Sequence, residues 1–388
     1  MKKTISLAAA VGLGGLGTLA HATNGDQMLG TTAQQWGMAG AVVASPTDAG
    51  TAITNPAGLT SLDIEEARFD LGFGLLNPPR KVNGTESDSN YYMIPAGAGA
   101  LKVNDRLTFG MGMAGLSGMG VDVPLEMGSN PQVVTTKQFY KIAPGFGYRV
   151  TDSLSLGAAF NLDYQSLAMA MYQGDPADPT NAMQNLQLPQ DQAYGYGATL
   201  GLTWDLSRRW RLGLAYTTKQ EMNEFKWNSF NGEYRMEMDA PPMLAAGVAF
   251  RPSSTLLIEA DVKRIWFSQV LDTIDLKTPA GTRKMEFGWD NQTVYALGVQ
   301  KEVTAGTTVR AGYNYGESPI DGEDVTTNFG SLAVTEHHAS LGLTQDLSDR
   351  VSGSVSYVRA FRNSVSDSAG NEIELEQNVV NLQLSYRH

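Results

Sequence analysis

Short polar turns recur along this chain at intervals of roughly 50 residues, which leaves room between them for two strands of about 10 residues and one longer loop. That spacing is typical of a transmembrane β-barrel, in which short turns lie at one end and long loops at the other. Six turns separate seven hairpins, so the chain is predicted to form 14 antiparallel strands. The turns are Asn104-Asp105, Thr151-Asp152, Ser207-Arg208, Pro252-Ser253, Ala305-Gly306 and Ser348-Asp349.

The segments between the turns alternate strictly between apolar and polar residues. From Leu154 to Tyr164 the even-numbered residues are apolar, whereas the odd-numbered residues from Ser155 to Gln165 are small or polar. Successive side chains on a strand point to opposite faces, so one face of each strand is apolar and the other is polar. A soluble sandwich would show the same period, so the barrel prediction depends as well on the regular strand length and on an export signal.

This pattern predicts an all-β, 14-stranded antiparallel transmembrane β-barrel. The strands are placed at residues 67–76, 91–103, 106–116, 139–150, 154–172, 192–205, 209–221, 234–250, 255–268, 290–303, 307–316, 334–346, 351–362 and 377–387. The intervening outer loops fall near 77–90, 117–138, 173–191, 222–233, 269–289, 317–333 and 363–376.

The first 22 residues have the layout of a secretory signal peptide. Lys2 and Lys3 precede an apolar stretch over residues 5–19, and Ala20-His21-Ala22 forms a small-x-small cleavage site. The apolar stretch is too short and too rich in glycine for a membrane anchor. Together with the barrel pattern, this segment predicts a protein of the bacterial outer membrane.

Composition excludes several classes of function. The chain carries 40 acidic and 28 basic residues, a net charge of −12, and the loss of Lys2 and Lys3 makes the mature chain more acidic still. Binding to nucleic acid is therefore not expected. The chain has no cysteine, which excludes disulfides, thiolate nucleophiles and cysteine-based metal sites. We predict no metal and no cofactor.

Residues 23–62 lack the strand alternation and contain short stretches rich in alanine, glycine and threonine. Such stretches are neither long enough nor apolar enough to fold alone. The lumen of a 14-stranded barrel is wide enough to bury them. We therefore predict three parts: a signal peptide at 1–22, an N-terminal hatch at 23–62 that plugs the lumen, and the barrel at 63–388.

Glycines crowd the third predicted strand and its exit. Glycine inside a strand marks a bulge, a bend or a close approach by another group. This density by itself fits either ordinary barrel packing or a functional bend. The glycines are Gly110, Gly112, Gly115, Gly118 and Gly120.

Three further stretches are distinctive. They are residues 48–59 (DAGTAITNPAGL), residues 240–252 (APPMLAAGVAFRP) running on to 265–268, and residues 308–320 (TVRAGYNYGESPI). Together they resemble the FadL/TodX family of outer-membrane transporters of hydrophobic compounds, in the right order along the mature chain.

The resemblance implies a monomeric barrel with a hatch that carries an Asn-Pro-Ala motif, and an inward kink of the third strand that opens the wall sideways. The hatch motif corresponds to Asn55, Pro56 and Ala57. The kink and lateral opening correspond to Gly115, Gly118 and Gly120.

The implied function is passive uptake of hydrophobic compounds, with binding in the lumen and lateral release into outer-membrane lipid, past the lipopolysaccharide barrier. A hydrophobic molecule gains about 0.8 kcal/mol per buried methylene on leaving water, which a water-filled pore does not provide. The large apolar side chains Met28, Leu29 and Trp36 are the candidate substrate-lining residues of a segment otherwise poor in them.

The substrate class stays open between long-chain fatty acids and small aromatic hydrocarbons. The fatty-acid members of the family begin with aromatic and apolar residues, whereas the mature chain here begins with the polar segment 23–27. The loop at 173–191 is also short and lacks a long amphipathic helical pair.

Two other functions share parts of the pattern. His338 and Ser340 have the spacing of an outer-membrane lipid hydrolase, but they share the polar face and would point into the lumen, away from lipid. His337 and His338 have no third ligand at a telling spacing for a metal. A general diffusion porin for polar solutes would have the same barrel but would not need about 40 plugging residues.

Charged residues recur along the ninth predicted strand. They are Glu259, Asp261, Lys263 and Arg264. We interpret them as ordinary ion pairs of the lumen wall in preference to a selectivity filter.

Overall fold

The computed structural model describes residues 23–124, 132–171, 186–229 and 232–388. The predicted signal peptide and most of the loop predicted at 173–191 lie outside these residues. Within the described ranges, none of the helices has the length and apolar character needed to cross a membrane.

The structure is a closed antiparallel ring of 14 strands, as predicted. Each strand pairs with its neighbours in chain order, and the last strand pairs with the first from Asn378↔Asn77 to Arg387↔Arg68. The strands are β1 (Ala67–Asn77), β2 (Tyr92–Lys102), β3 (Leu107–Pro124), β4 (Gln132–Arg149), β5 (Leu154–Met171), β6 (Leu186–Asp205), β7 (Trp210–Thr217), β8 (Met243–Ser253), β9 (Leu256–Ile265), β10 (Gln292–Thr304), β11 (Thr307–Gly316), β12 (His337–Asp346), β13 (Val351–Ser366) and β14 (Glu372–Arg387).

Apolar side chains face outwards from this ring, and polar side chains face inwards. On β5, Leu156 and Phe160 are 44% and 52% exposed, whereas Asn161 and Gln165 are completely buried. A soluble protein shows the reverse distribution. The outward face suits a hydrocarbon environment, as expected for a transmembrane barrel.

The predicted short turns lie together at one end of the ring. Five of the six fall between consecutive strands, for example Asn104-Asp105 between β2 and β3, and the sixth, Pro252-Ser253, forms the end of β8. The turn positions are local in sequence, which is why the sequence locates them well.

Residues 23–62, here called the N-terminal segment, lie inside the ring and are almost entirely buried. The segment begins with a hairpin of Thr23–Asn24 and Gln27–Met28 and contains α1 (Ala33–Gly37), α2 (Thr51–Thr54) and a 3-10 turn at Pro56–Ser61. Helix α1 contacts β11 to β14, and the 3-10 turn contacts β3 to β6, so the segment reaches both sides of the lumen.

The end with the long loops departs from the predicted strand boundaries. β3 and β4 stay paired from Ser117↔Phe139 to Pro124↔Gln132, within the region predicted as the outer loop 117–138. β13 and β14 also extend beyond their predicted ends, to Ser366 and from Glu372. Beyond the apolar band that faces the membrane, outward residues no longer need to be apolar. The alternation that marks a strand is therefore lost there.

The loops predicted at 222–233 and 269–289 instead contribute to a separate four-stranded sheet. Its strands are Phe225–Ser229, Gly232–Met236, Thr273–Thr278 and Gly281–Glu286. The strand predicted at 234–250 is therefore wrong at its start, because β8 begins only at Met243. Pro241 and Pro242 precede it, and proline has no amide hydrogen for a ladder.

Apolar residues of this sheet and of the long loops form a core that covers the loop end of the ring. Phe225, Leu276 and Trp289 are each at most 1% exposed. Other short elements are α3 (Ser268–Leu271), short strands at Arg80–Val82, Thr85–Glu86 and Glu221–Met222, and 3-10 turns at Gly322–Asp324 and Thr326–Asn328.

Candidate functional site: cavities along the third strand

The ring has a gap between β2 and β3. Their ladder runs from Lys102↔Thr108 only as far as Ala96↔Ala114, although β2 begins at Tyr92. At the same level the register of β3 with β4 shifts, because Leu116 is an extra residue between the paired Gly115 and Ser117. One extra residue is a β-bulge, which bends the strand that carries it.

The bulge reverses the two faces of β3. Before it, the odd-numbered Met111 and Met113 are exposed on the outer surface. After it, the odd-numbered Val121 and Val123 are buried inside. A shift of one residue exchanges inward and outward positions because the side-chain period of a strand is two.

The bent part of β3 meets the N-terminal segment. Ser117 pairs with Gln27 of the N-terminal hairpin, so β3 leaves β2 and adds a strand from the lumen instead. This pairing places the hairpin directly behind the gap in the wall.

A cavity that is partly open to solvent, here called the kink cavity, lies at this gap. Gly115, Gly118 and Gly120 all line it, so the structure brings the three predicted kink glycines together. A Cβ at Gly120 would lie 2.8 Å from the Tyr92 hydroxyl and 3.1 Å from the Thr135 carbonyl oxygen, a close approach that glycine permits. Apolar walls of the cavity come from Met28, Ile94, Met119 and Phe139.

Two further cavities adjoin the kink cavity. The outer cavity shares Met119 and Lys137 with it and reaches Trp289 under the long loops. The inner cavity shares Met28 with it and extends along the N-terminal segment past Leu116. The three cavities form a series from the loop end, past the gap in the wall, to the N-terminal segment.

An ion pair fixes the N-terminal hairpin beside the kink cavity. The Nζ atom of Lys137 lies 2.8 Å from Oδ2 of Asp26, and the Ser117 hydroxyl donates to the same oxygen at 2.5 Å. Burial works against the charge of Asp26, but Lys137 and the hydrogen bonds from Ser117 and Gln27 bring the pKa of Asp26 below its usual value. The pair cannot be recognised from the sequence, because its members are separated by more than 100 residues.

The predicted hatch motif does not line the kink cavity. Asn55 accepts a hydrogen bond from the Ala57 amide and donates to the carbonyl oxygens of Val43 (2.7 Å) and Leu202 (3.1 Å). Pro56 begins the 3-10 turn, where its fixed φ and missing amide hydrogen are both tolerated. These contacts join the turn to the rest of the segment and to β6.

Glycines on the inward face of the wall make room for this turn. A Cβ at Gly157 would collide with the backbone of Pro56 and Ala57, and a Cβ at Gly201 would collide with the Asn55 side chain. Sequence reasoning assigned no role to these positions. The signal that could have identified them is glycine at an inward-facing position of a strand, because the backbone of another segment can approach closely there.

Glu259 and Asp261, which were interpreted as members of ion pairs in the lumen wall, also bind the N-terminal segment. Asp261 Oδ2 accepts from the amides of Val42 and Val43 at 2.8 and 3.0 Å. Glu259 Oε1 accepts from the next two amides, those of Ala44 and Ser45, at 2.6 and 3.1 Å. The carboxylates thus supply acceptors to backbone that lies outside any helix or sheet.

The three candidate lining residues lie in different surroundings. Met28 lines both the kink cavity and the inner cavity, and Leu29 lines the inner cavity. Trp36 is buried against Val358 and Val379 of the wall, in a packing cluster that also includes Leu29. The structure therefore brings Met28 and Leu29 to a cavity and places Trp36 in the packing between segment and wall.

His338 and Ser340 are both buried on the lumen side of β12. The Ser340 hydroxyl donates to the Gly37 carbonyl oxygen at 3.0 Å, so it holds α1 and is not paired with the histidine. His337 lies on the other face, where its Nδ1 is 2.6 Å from the Tyr313 hydroxyl. The strand places the two histidines on opposite faces, which a shared metal would not allow.

Comparison with known proteins gives a consistent family and fold. Residues 16–329 match the model of a family described as outer membrane protein transport protein (OMPP1/FadL/TodX). The structure resembles the Pseudomonas putida toluene transporter TodX with a TM-score of 0.77 and 20% identity over 92% of this chain and 99% of that one. It resembles the Ralstonia pickettii toluene transporter TbuX with a TM-score of 0.77 and 18% identity over 92% and 98% of the two chains. It also resembles a Pseudomonas aeruginosa FadL homologue, with a TM-score of 0.75 and 17% identity over 93% of this chain and 99% of that one. The comparison with curated proteins finds no match.

Proposed function

The chain belongs to the outer membrane transport protein family OMPP1/FadL/TodX, and from that membership we propose that it takes up hydrophobic compounds by lumenal binding and lateral release at the kink of β3. It is an outer-membrane β-barrel with a transport function, and it is not an enzyme. The observation that carries the finer proposal is the series of three cavities that passes the gap between β2 and β3.

Solvent physics supports this route. A molecule that leaves water for apolar walls gains about 0.8 kcal/mol per methylene, and it gains the same in lipid. Movement from the outer cavity to the kink cavity and then into the bilayer therefore needs no energy source, provided that the compound is consumed on the far side. TodX and TbuX are described as toluene transporters, so toluene-sized aromatics and fatty acids are both suitable probes.

In this proposal the N-terminal segment is the hatch that follows a cleaved signal peptide at 1–22. The turn at Asn55, Pro56 and Ala57 anchors the hatch to β6, while the N-terminal hairpin lies at the kink cavity. Met28 lines the substrate path, and Trp36 packs the hatch against the wall.

We also propose that the protein works as a monomer surrounded by outer-membrane lipid and lipopolysaccharide. One chain closes the ring through the pairing of β14 with β1, so the barrel sheet itself has no open edge that a second copy would have to cover. All three cavities are lined by residues of this single chain.

The test is to block the gap with a large side chain. Gly118 has only the Lys137 carbonyl oxygen near its Cβ position, at 3.3 Å, so Gly118→Phe is expected to fold and to fill part of the kink cavity. Uptake of labelled oleate and toluene should fall by about tenfold or more in cells that carry the variant, because passage is blocked and not merely weakened.

Gly353→Phe on β13 is the matched control, because the Gly353 Cβ position has only a Leu347 side-chain atom within 4 Å, at 3.7 Å. Its uptake should equal that of the parent. Equal uptake by the Gly118 variant, with a normal unheated gel mobility, would contradict lateral release. Uptake of neither compound by the parent would contradict the transport of hydrophobic compounds.

A further inference from the structure

The gap between β2 and β3 is closed again towards the long loops, so it is a window in the wall. Towards the short turns the window ends at the last pair of the two strands, Ala96↔Ala114. Towards the loops the Asp88 amide donates to the Asp122 carbonyl oxygen of β3 at 2.8 Å, and the Asp122 amide donates to the Ser87 hydroxyl at 2.9 Å. A molecule that leaves sideways therefore passes an opening whose two ends are fixed by hydrogen bonds.

The side chain of Tyr92 lies across this window. Tyr92 belongs to the part of β2 that has separated from β3, and it lines the kink cavity. Its hydroxyl oxygen lies 3.4 Å from the Gly120 carbonyl oxygen of β3. A Cβ at Gly120 would lie only 2.8 Å from this hydroxyl, so glycine there allows the tyrosine to reach the opposite side. The ring thus narrows the opening.

Two neighbouring residues hold the Tyr92 ring in this position. Nη2 of Arg80 donates to the Tyr92 hydroxyl and to the Ser89 carbonyl oxygen, both at 2.6 Å. The Ser89 hydroxyl also lies 2.6 Å from the Tyr92 hydroxyl, and the guanidinium carbon lies 5.5 Å from the centre of the ring. Arg80 is itself only 6% exposed, so packing fixes its position. A side chain supported by such a network does not swing aside freely.

A fixed side chain in an opening distinguishes molecules by their width. Apolar walls distinguish them by area instead, because burial is worth about 25 cal/mol per Å² whatever the shape of the molecule. Two isomers of similar area therefore gain similar free energy in the cavities. Only the wide isomer collides with the ring in the window, and a mismatch of methylene size against a protein wall changes the rate by about tenfold or more.

We propose that Tyr92 determines which hydrophobic molecules leave through the window, by admitting narrow ones and excluding wide ones, with Arg80 and Ser89 as its positioning residues. This assignment rests on the proposed lateral release and adds the residue that sets its specificity. The substrate class is thereby limited to unbranched chains and to aromatic rings with few substituents.

The experiment measures uptake of two labelled isomers by cells that carry the protein, after subtraction of uptake by cells without it. Nonylbenzene is narrow, whereas 1,3,5-triisopropylbenzene has the same molecular formula and is wide. The parent should take up the narrow isomer about tenfold faster or more. Tyr92→Ala should remove most of this preference by raising uptake of the wide isomer. Tyr91→Ala is the matched control, because its side chain is 71% exposed and does not line the cavity, and it should keep the parent preference.

The positioning role of Arg80 is tested in the same assay. Arg80→Met leaves the Tyr92 ring in place but removes the donor that holds it, so the preference should fall by less than in Tyr92→Ala. Arg80→Lys keeps a donor and should restore part of the preference. The parent preference in a folded Arg80→Met protein would overturn the positioning role.

Equal uptake of the two isomers by the parent, a measurement that needs no variant, would overturn the proposal. The parent preference in a Tyr92→Ala protein of normal unheated gel mobility would overturn it as well, and so would an equal loss of preference in Tyr91→Ala. Toluene uptake keeps the test separate from the proposed function. Toluene uptake that is normal in Tyr92→Ala and lost in Gly118→Phe, together with an unchanged isomer preference in Tyr92→Ala, would leave lateral release in place and overturn only the role of Tyr92.

Discussion

At the scale of single residues, the contact between Asp26 and Lys137 determines where the N-terminal hairpin lies. Both side chains are at most 5% exposed, and they join the hairpin to β4 beside the kink cavity. Removing one partner of a buried pair leaves an uncompensated charge, at a cost of about 3–5 kcal/mol. The hairpin has few other contacts of this strength. Detachment of the hairpin from β4 would return the uncompensated charge to water and is therefore the expected response.

Lys137→Met should therefore expose the hairpin while the barrel stays folded. Because the chain has no cysteine, Asn24→Cys introduces a single thiol at a residue that is 1% exposed. Maleimide labelling of this thiol should be about tenfold faster or more in the Lys137→Met background, since local detachment controls access. Lys102→Met, which removes an exposed ion pair with Asp105, is the control and should label at the parent rate. Equal rates in all three proteins would contradict the anchoring role.

The same pair predicts a pH dependence with a definite sign. The pKa of Asp26 is lowered from its usual value of 3.8, so the stabilisation is fully present above that value and is lost as the pH falls through the lowered pKa. Cleavage of the hairpin region should be flat between about pH 5 and pH 8 and should rise only in stronger acid. Digestion with pepsin can measure the increase in hairpin cleavage at low pH.

At the scale of an element, the bulge at Leu116 separates β3 from β2. The residues on either side of it, Gly115 and Ser117, pair with the consecutive residues Tyr140 and Phe139. Deletion of Leu116 would thus leave β3 in unbroken register with β4 and would remove the cause of the bend. The gap in the wall depends on this one extra residue.

We expect the Leu116 deletion to give a folded barrel that has lost uptake of hydrophobic compounds. Pairing between β2 and β3 should extend beyond Ala96↔Ala114 and narrow the gap. Uptake and unheated gel mobility are the measurements, and deletion of Gly370 in an exposed loop serves as the control. Full uptake by a folded Leu116 deletion would show that the bulge is not needed for transport.

At the scale of the whole molecule, the ring and the N-terminal segment form one filled structure. The segment contacts β11 to β14 through α1 and β3 to β6 through the 3-10 turn. Carboxylates of β9 hold its backbone at residues 42–45. A lumen filled in this way does not provide the continuous water path of a porin.

The parent protein should therefore show no large steady conductance across a planar bilayer. A variant that lacks residues 23–62 should show a large one, because the lumen of a 14-stranded barrel is then open to water. A steady open channel in the parent would favour the general porin instead.

The sequence by itself determined the barrel. Alternation from Leu154 to Tyr164 and the polar turns such as Asn104-Asp105 are local signals, since a strand repeats every two residues and a turn needs only a few. The glycine density of the third strand fitted a bend or ordinary packing equally, and the family resemblance pointed to the bend, whereas the extra residue Leu116 could not be recognised without its partner strand. Beyond the apolar band that faces the membrane, apolar and polar residues no longer alternate. For that reason the outer extensions of β3 and β4 were predicted as a loop.

The tertiary structure alone decided which distant residues meet. Arg80, Tyr92 and Gly118 line one cavity because β3 bends inwards, and nothing in the sequence around Arg80 shows that it is buried. The sequence placed Asp261 on the lumen wall, but only the closed ring shows that the backbone of residues 42 and 43 donates to it. The physical reason is that periodicity along a chain states which face a side chain occupies, whereas closure of the ring and insertion of the segment determine what lies opposite that face.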